Sequence, residues 1–406
     1  MHIIFVEPAF PANQRQFVRA LHSIGCQITG IGERPHEWLD DELKHWLHGY
    51  EQVQSVTDET ALTKAVLRVQ NRGWVDCLEA TIEAHVLSAA KAREATNIPG
   101  LSSRAAWLCR DKVDMKEALR KAGVPCAASA AVSSTVEATE FAEAVGFPLI
   151  VKPLDAAGAA GTHRADNIED LEDICRITGV ADGAIAAIEE FISGHEGFYD
   201  TLTVDGVVQH DFISHYYPNV LDAMRTRWIS PQIICTNRMD APHYNELFEM
   251  GHRVNEALGI TTSPTHMEWF FGPKGLKFSE IGARPPGVGQ WDVYCYANEF
   301  DLFREWALAV THGHTDRKPS RQYACGIIAL RPERDGVISH YEGVDKIEQS
   351  FNENIVAHNF PEPGMATQPI EAGYMANAWM HVRHRDFDQL RHIMNTIGET
   401  IQVRVR

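Results

Sequence analysis

The chain has 406 residues, 44% of them hydrophobic and 23% charged, with a formal net charge of −18. That length exceeds one ordinary hydrophobic core and implies two or three domains. The negative charge argues against nucleic acid or an anionic membrane as the main partner, and no run approaches the roughly 18 to 20 apolar residues of a membrane span.

The opening MHIIFVEPAF lacks the basic start and long apolar core of a signal peptide and reads as a first β-strand. Eight cysteines are scattered with no CxxC pair, a pattern that suits reduced thiols in a cytoplasmic enzyme rather than a disulfide frame or zinc site. From residue 1 to 108 strand and helix take turns: HIIFVE, RQFVRALHSIG, CQITGIG, ALTKAVLRVQNRG, VDCLEA and HVLSAAKAREATN. This alternation predicts a Rossmann-like parallel sheet with helices on both faces. Its first βα turn, EPAFPANQ, has no GxGxxG, so a dinucleotide site is not supported.

Residues 109–318 form a second unit of α/β and α+β character. CRDKVDMKEALRKAG predicts a helix stopped at Gly123, FPLIVKP a buried strand ending in Lys152, and AIAAIEEFI a strand ending in two carboxylates. GFYDTLTVDGVVQHDFISHYY predicts a hairpin turning at Asp205-Gly206, and YNELFEMGHRVNEALG an amphipathic helix. Residues 319–406 predict a small C-terminal α+β lobe, from the strand YACGIIAL through the helix DFDQLRHIMNTIG to the strand TIQVRVR. The histidines of HVRHRDFDQLRH fit a solvated surface.

The hairpin THMEWFFGPKGLKFSE carries the most chemistry. A three-residue loop would place Pro273 first in a type I turn and Gly275 in the left-handed position, pairing Gly272 with Leu276 and Glu268 with Glu280. Two facing carboxylates destabilise a sheet unless a cation sits between them, and carboxylate pairs on rigid strands suit Mg²⁺. A four-residue loop would instead pair Glu268 with Ser279 and turn Glu280 to the other face. Lys152 ends an otherwise buried strand, so its amine should meet an anion. The small-residue loop Ala156–Thr162, with Gly158 and Gly161, would let backbone N–H groups approach phosphates, although it is also the composition of a simple flexible turn.

In order, CRDKVDMKEALRKAGVPCA, FPLIVKPLDAAGAAGT, EEFISGHE, HMEWFF and FSEIGARPPG resemble the ATP-grasp superfamily, and within it the carboxylate–amine ligases of the L-amino-acid ligase and carnosine-synthase type. The likeness covers essentially the whole chain. It implies an ATP-grasp core between the Rossmann-like domain and the C-terminal lobe. It also implies an ATP-dependent ligase that joins a small carboxylate, an amino acid, to an amine through an acyl phosphate, with ATP and Mg²⁺ (or Mn²⁺) as cofactors.

Residue by residue, the resemblance gives Lys112 and Lys152 to the nucleotide phosphates and the Gly158–Gly161 loop to the β- and γ-phosphates. Glu189 and the Glu190–Ile192 backbone would read adenine and Glu196 the ribose. Glu268 and Glu280 would hold the metal, and Arg284 would stabilise the transferring phosphoryl group. Two positions depart from the family: Gly282 stands where asparagine is common, and Ala159-Ala160 where a serine is common. Arg225 and Arg227 are candidates for clamping a substrate carboxylate. His266, on the face of Glu268, is a candidate for packing or for a bond to a metal-holding side chain. A carboxylase acting on bicarbonate through carboxyphosphate and a non-catalytic ATP-binding protein are the alternatives; a homodimer is the default assembly.

Overall fold

The computed structural model describes residues 1–154 and 161–406. Strands β1 (His2–Val6), β2 (Gln27–Gly32), β3 (Gly49–Gln52) and β4 (Cys77–Glu79) form a parallel sheet in the order β3-β2-β1-β4. β1 is apolar from Ile3 to Val6 because both of its faces are covered: Ile3 and Phe5 join one core, Ile4 and Val6 another. Chain direction across the sheet reverses between β1 and β4, the switch point where parallel sheets collect ligands. Helix Glu83–Thr96 begins just beyond β4, so Glu83 stands close to that point.

A second sheet contains β5 (Ser129–Val132), β6 (Leu149–Lys152), β7 (His163–Ala165) and β8 (Ala186–Glu190), antiparallel in the order β5-β8-β6-β7. Helices Thr135–Val145 and Ile168–Ile177 pack Ala138, Ala142, Leu171 and Ile174 against Leu149, Val151 and Ile188. Strand alternation then turns Ile150, Lys152 and Glu189 to the opposite face.

The third sheet is built from β9 (His195–Val204), β10 (Val207–Tyr217), β11 (Gln232–Cys235), β12 (Ser263–Gly272), β13 (Gly275–Gly282) and β14 (Ala324–Leu330). β15 (Ile338–Glu342) pairs apart with β18 (Gln402–Val405), while β16 (Ile355–Asn359) and β17 (Ala378–His384) complete the eight-stranded order β13-β12-β9-β10-β11-β14-β17-β16. The last segment therefore adds three strands to the central sheet. All seven residues of β14 are buried: Cys325, Ile327 and Ala329 share a core with Trp291, while Ala324, Ile328 and Leu330 pack with Leu390 and Met394. His381, expected on a solvated surface, is buried in β17.

The N-terminal unit is joined to the rest through aromatic packing. Phe17 lies 5.1 Å from Trp291, 5.0 Å from Phe303 and 4.9 Å from Trp306, and Phe5 lies 6.0 Å from Trp306. Such contacts add specificity beyond the apolar area they bury. Among the described residues no helix is long and apolar enough to cross a membrane. The eight cysteines are unpaired.

The carboxylate hairpin corrects the expected turn. Gly272 pairs with Gly275 and Phe271 with Leu276, so the loop is Pro273-Lys274 and the register at the tip is one residue off. That register, continued, would set Glu268 against Ser279. A β-bulge between the pairs Trp269–Phe278 and Glu268–Glu280 absorbs Ser279 and brings Glu280 opposite Glu268. Bulges re-aim side chains in this way next to functional sites.

Candidate active site

The second and third sheets face each other across a cavity lined by β6, β8, β12, β13 and the helices Lys112–Lys121 and Val220–Arg225. Lys112 and Lys116 are four residues apart on one helix and share a face. Both are buried, which is rare for lysine without a partner. Lys116 Nζ lies 2.7 Å from Glu189 Oε1, and Lys152 Nζ lies 2.9 Å from Glu189 Oε2. Glu189 is thus a carboxylate bracketed by two lysines.

Burial opposes the charge on Glu189, but the two lysines outweigh it and hold its carboxyl at about 2, below the ordinary 4.5. A depressed carboxylate contributes stability that is fully present above pH 4.5 and is lost as pH falls towards about 2. We expect the wild type to lose stability relative to Glu189→Gln across that window, measured as melting temperature against pH. Parallel curves would remove the lysine bracket from the account.

Glu280 Oε2 lies 3.6 Å from Lys112 Nζ and 3.9 Å from Lys152 Nζ, so it sits between two cations. Burial works against the Lys152 charge, yet Glu189 and Glu280 raise its pKa overall. Across the hairpin Glu268 accepts from the Tyr216 hydroxyl at 3.4 Å and lies 3.7 Å from His266 Nε2. The other His266 nitrogen, Nδ1, is 2.7 Å from Asp200 Oδ1, and Asp200 Oδ2 accepts from Tyr294 at 2.5 Å. Burial disfavours the imidazolium, but Asp200 and then Glu268 raise it to about 9. His266 therefore backs Glu268 as a charged partner.

Glu196 takes a different state. Burial first, then the neighbouring Glu268, pushes its carboxyl up to about 8, against the hydrogen bond from Val220 N at 2.7 Å. Glu190 is engaged at the cavity's edge: Oε2 accepts from Ala128 N at 3.2 Å, and Oε1 pairs with Lys274 at the hairpin tip. Ile192 is buried in the cavity wall. Gly161 has φ +67, and a Cβ there would lie 3.1 Å from Pro153, so the position favours glycine. Gly158 and Ala156, Ala157, Ala159 and Ala160 lie outside the described residues.

Arg284 donates from Nε to Glu83 Oε2 at 2.8 Å and from Nη1 to the Pro285 carbonyl at 3.1 Å. It lines a smaller recess with Glu83, Lys112, His266, Glu280 and Gly282, next to the main cavity. Arg225 lines the main cavity, whereas Arg227 is paired with Asp335 at 2.8 Å and does not line it. Sequence reasoning missed Lys116, which the i, i+4 spacing from Lys112 signals. It also missed the wall formed by Phe191 and Arg164, whose guanidinium lies 4.3 Å from the ring centroid.

Glu268 and Glu280 fit a hard divalent cation in donor chemistry. Both supply oxygen, they stand opposite one another, and further ligands would come from phosphate and water. Among the described residues no group of three or more histidine, cysteine, aspartate or glutamate side chains is arranged to hold a metal alone.

A cleft between two antiparallel sheets is walled by buried lysines on one side and paired carboxylates on the other, and the fold that builds it is that of the ATP-grasp ligases. Residues 111–195 match the family described as carbamoyl-phosphate synthase L chain, ATP binding domain. The chain is 29% identical over 251 residues to an L-arginine-specific L-amino acid ligase of Bacillus subtilis, covering 60% of each chain. It is 25% identical over 235 residues to alanine–anticapsin ligase of Bacillus subtilis strain 168, covering 52% of this chain and 48% of that one. These matches span about half to three-fifths of the curated relatives. In fold it is similar to the crystal structure of an L-amino acid ligase from Bacillus licheniformis, with a TM-score of 0.79 and 16% identity, covering 100% of this chain and 98% of that one.

Proposed function

We propose that the protein is an ATP-dependent carboxylate–amine ligase that forms an amide bond through an acyl phosphate, with an amino acid as the carboxylate substrate. The observation that carries this reading is the opposed pair Glu268 and Glu280 set among Lys112, Lys152 and Arg284. A site that only bound nucleotide would have no use for an arginine beyond the carboxylate pair.

The chain's groups act mainly by position and charge. Lys116 and Lys152 hold the buried Glu189 and keep a net positive charge at the cavity wall where the α-phosphate would lie. Lys112 would meet the phosphate chain further along. Phe191 and Ile192 offer an apolar slot for the base, and Glu196 faces the ribose. Glu268 and Glu280 would hold Mg²⁺, which would supply positive charge against the phosphates.

A carboxylate oxygen of the amino acid attacks the γ-phosphorus, the bond to the β-phosphate oxygen breaks, and ADP leaves. Arg284 stabilises the equatorial oxygens during this transfer. The amine then attacks the acyl carbon, phosphate departs with the former carboxylate oxygen, and the nitrogen gives up its proton as the amide forms. Excluding water protects the acyl phosphate meanwhile.

The eight unpaired cysteines suit a reducing compartment, in keeping with a cytoplasmic enzyme. The test is release of ADP and phosphate from ATP and Mg²⁺, with a parallel Mn²⁺ series, across a matrix of amino acids and amines. Release that needs both an amino acid and an amine supports the ligase. Release stimulated by bicarbonate with no amine would turn the reading to a carboxylase. Tight ATP binding with no release in any combination would leave a binding protein.

A further inference from the structure

Gly282 ends β13, two residues after Glu280 and two before Arg284. A Cβ at this glycine would lie 2.7 Å from Glu83 Oε2 and 3.3 Å from Arg284 Nε. The same Oε2 accepts the hydrogen bond from Arg284 Nε at 2.8 Å. The space a side chain would take at position 282 is therefore occupied by a carboxylate brought in from the parallel-sheet unit.

Glu83 is well placed to deliver it. It is the first residue of helix Glu83–Thr96, where the helix dipole favours negative charge, and it starts that helix near the switch point beside β4. Its carbonyl also accepts from Arg110 Nη1 at 3.3 Å. On the other side, Arg284 has Nε and Nη1 engaged, by Glu83 and by the Pro285 carbonyl, and its side chain is 18% exposed. Nη2 is the guanidinium nitrogen left without a partner among the described residues. A planar fork pinned at two nitrogens presents the third in one direction.

We propose that Glu83 is a positioning residue for Arg284, and that glycine stands at position 282 because a side chain there would push the Glu83 carboxylate off its bond to Arg284. The proposal rests on the ligase reading for what Arg284 does. It gives the departure at Gly282 a physical cause: the place of a side chain on β13 is taken by a carboxylate from the helix that follows β4. It also links assembly to chemistry. Arg284 Nε is held only while the parallel-sheet unit is docked against β13, so the arginine is pinned at both nitrogens only when the recess between Glu83 and β13 is complete.

The test is a double-mutant cycle with two readouts, steady-state phosphate release and the melting temperature of the nucleotide-free protein. Glu83→Ala and Gly282→Ala are each expected to lower kcat about 10- to 100-fold, the scale of misplacing a group near the reacting atoms, with the KM for ATP unchanged. Glu83→Gln keeps an oxygen acceptor and should retain more activity than Glu83→Ala. The double variant should be no worse than Glu83→Ala alone in either readout, because the new methyl then has no carboxylate to displace.

Additive losses in the cycle, or wild-type kcat in Gly282→Ala, would overturn the proposal. So would a gain in turnover for Gly282→Asn, since that would make the glycine a missing ligand rather than a seat. If the wild type releases no phosphate with any substrate pair, it is the ligase reading that fails. The melting-temperature arm of the cycle then still decides whether the latch exists.

Discussion

Glu280→Ala is expected to lower phosphate release by at least about 10²-fold while the nucleotide-free protein keeps its melting temperature. Glu280 does two things in this structure. It supplies one half of the opposed carboxylate pair, and it stands between Lys112 and Lys152 at 3.6 and 3.9 Å. Those distances are long for ion pairs, so their loss costs little stability. Removing one of two facing carboxylates also relieves a repulsion in the empty sheet. The effect should therefore fall on turnover and on the Mg²⁺ concentration it needs. A variant that kept more than a tenth of wild-type turnover at saturating Mg²⁺ would show that the pair is not the metal clamp.

Glu189→Ala should act on the fold itself. Glu189 is 5% exposed and is the shared partner of Lys116, 1% exposed, and Lys152. Removing it leaves two ammonium groups side by side in a buried place, and breaking such pairs by deleting one member costs about 3–5 kcal/mol. Chemical denaturation should show a loss on that scale. Lys116→Met combined with Glu189→Gln should recover part of it, because one buried charge is then gone. A loss below about 1 kcal/mol for Glu189→Ala would mean that the bracket is exposed to water and holds nothing in place.

Much of the architecture was legible in the sequence because it follows from local patterns. The βα alternation before residue 108 predicts a parallel sheet, and the structure has one with β1 buried on both faces. Asp205-Gly206 predicts a hairpin, and β9 and β10 turn there. The hairpin of Glu268 and Glu280 shows where this reasoning reaches its limit. The opposed pair is present, but the turn is one residue shorter than expected and a bulge at Ser279 restores the register. No turn residue marks such a bulge; beside it Phe278 is buried and donates its N–H to the Pro125 carbonyl at 2.8 Å, a contact from a distant segment.

Other parts of the site depend on contacts that no spacing reports. Glu189 meets Lys116 across two elements more than 70 residues apart in sequence, so nothing near either residue announces the pair. The Arg227 pairing with Asp335 and the Glu83 pairing with Arg284 are likewise set by tertiary approach. Gly282 is the clearest case. In sequence it is an absent side chain, and only the structure shows whose atoms fill the place.

The most direct measurement follows one oxygen atom. With an amino acid and amine that support turnover, a heavy-oxygen label in the substrate carboxylate should appear as one labelled oxygen in the released phosphate, alongside ADP. Phosphate without the label, or release of AMP and pyrophosphate, would contradict the acyl-phosphate route and with it the ligase assignment of this site.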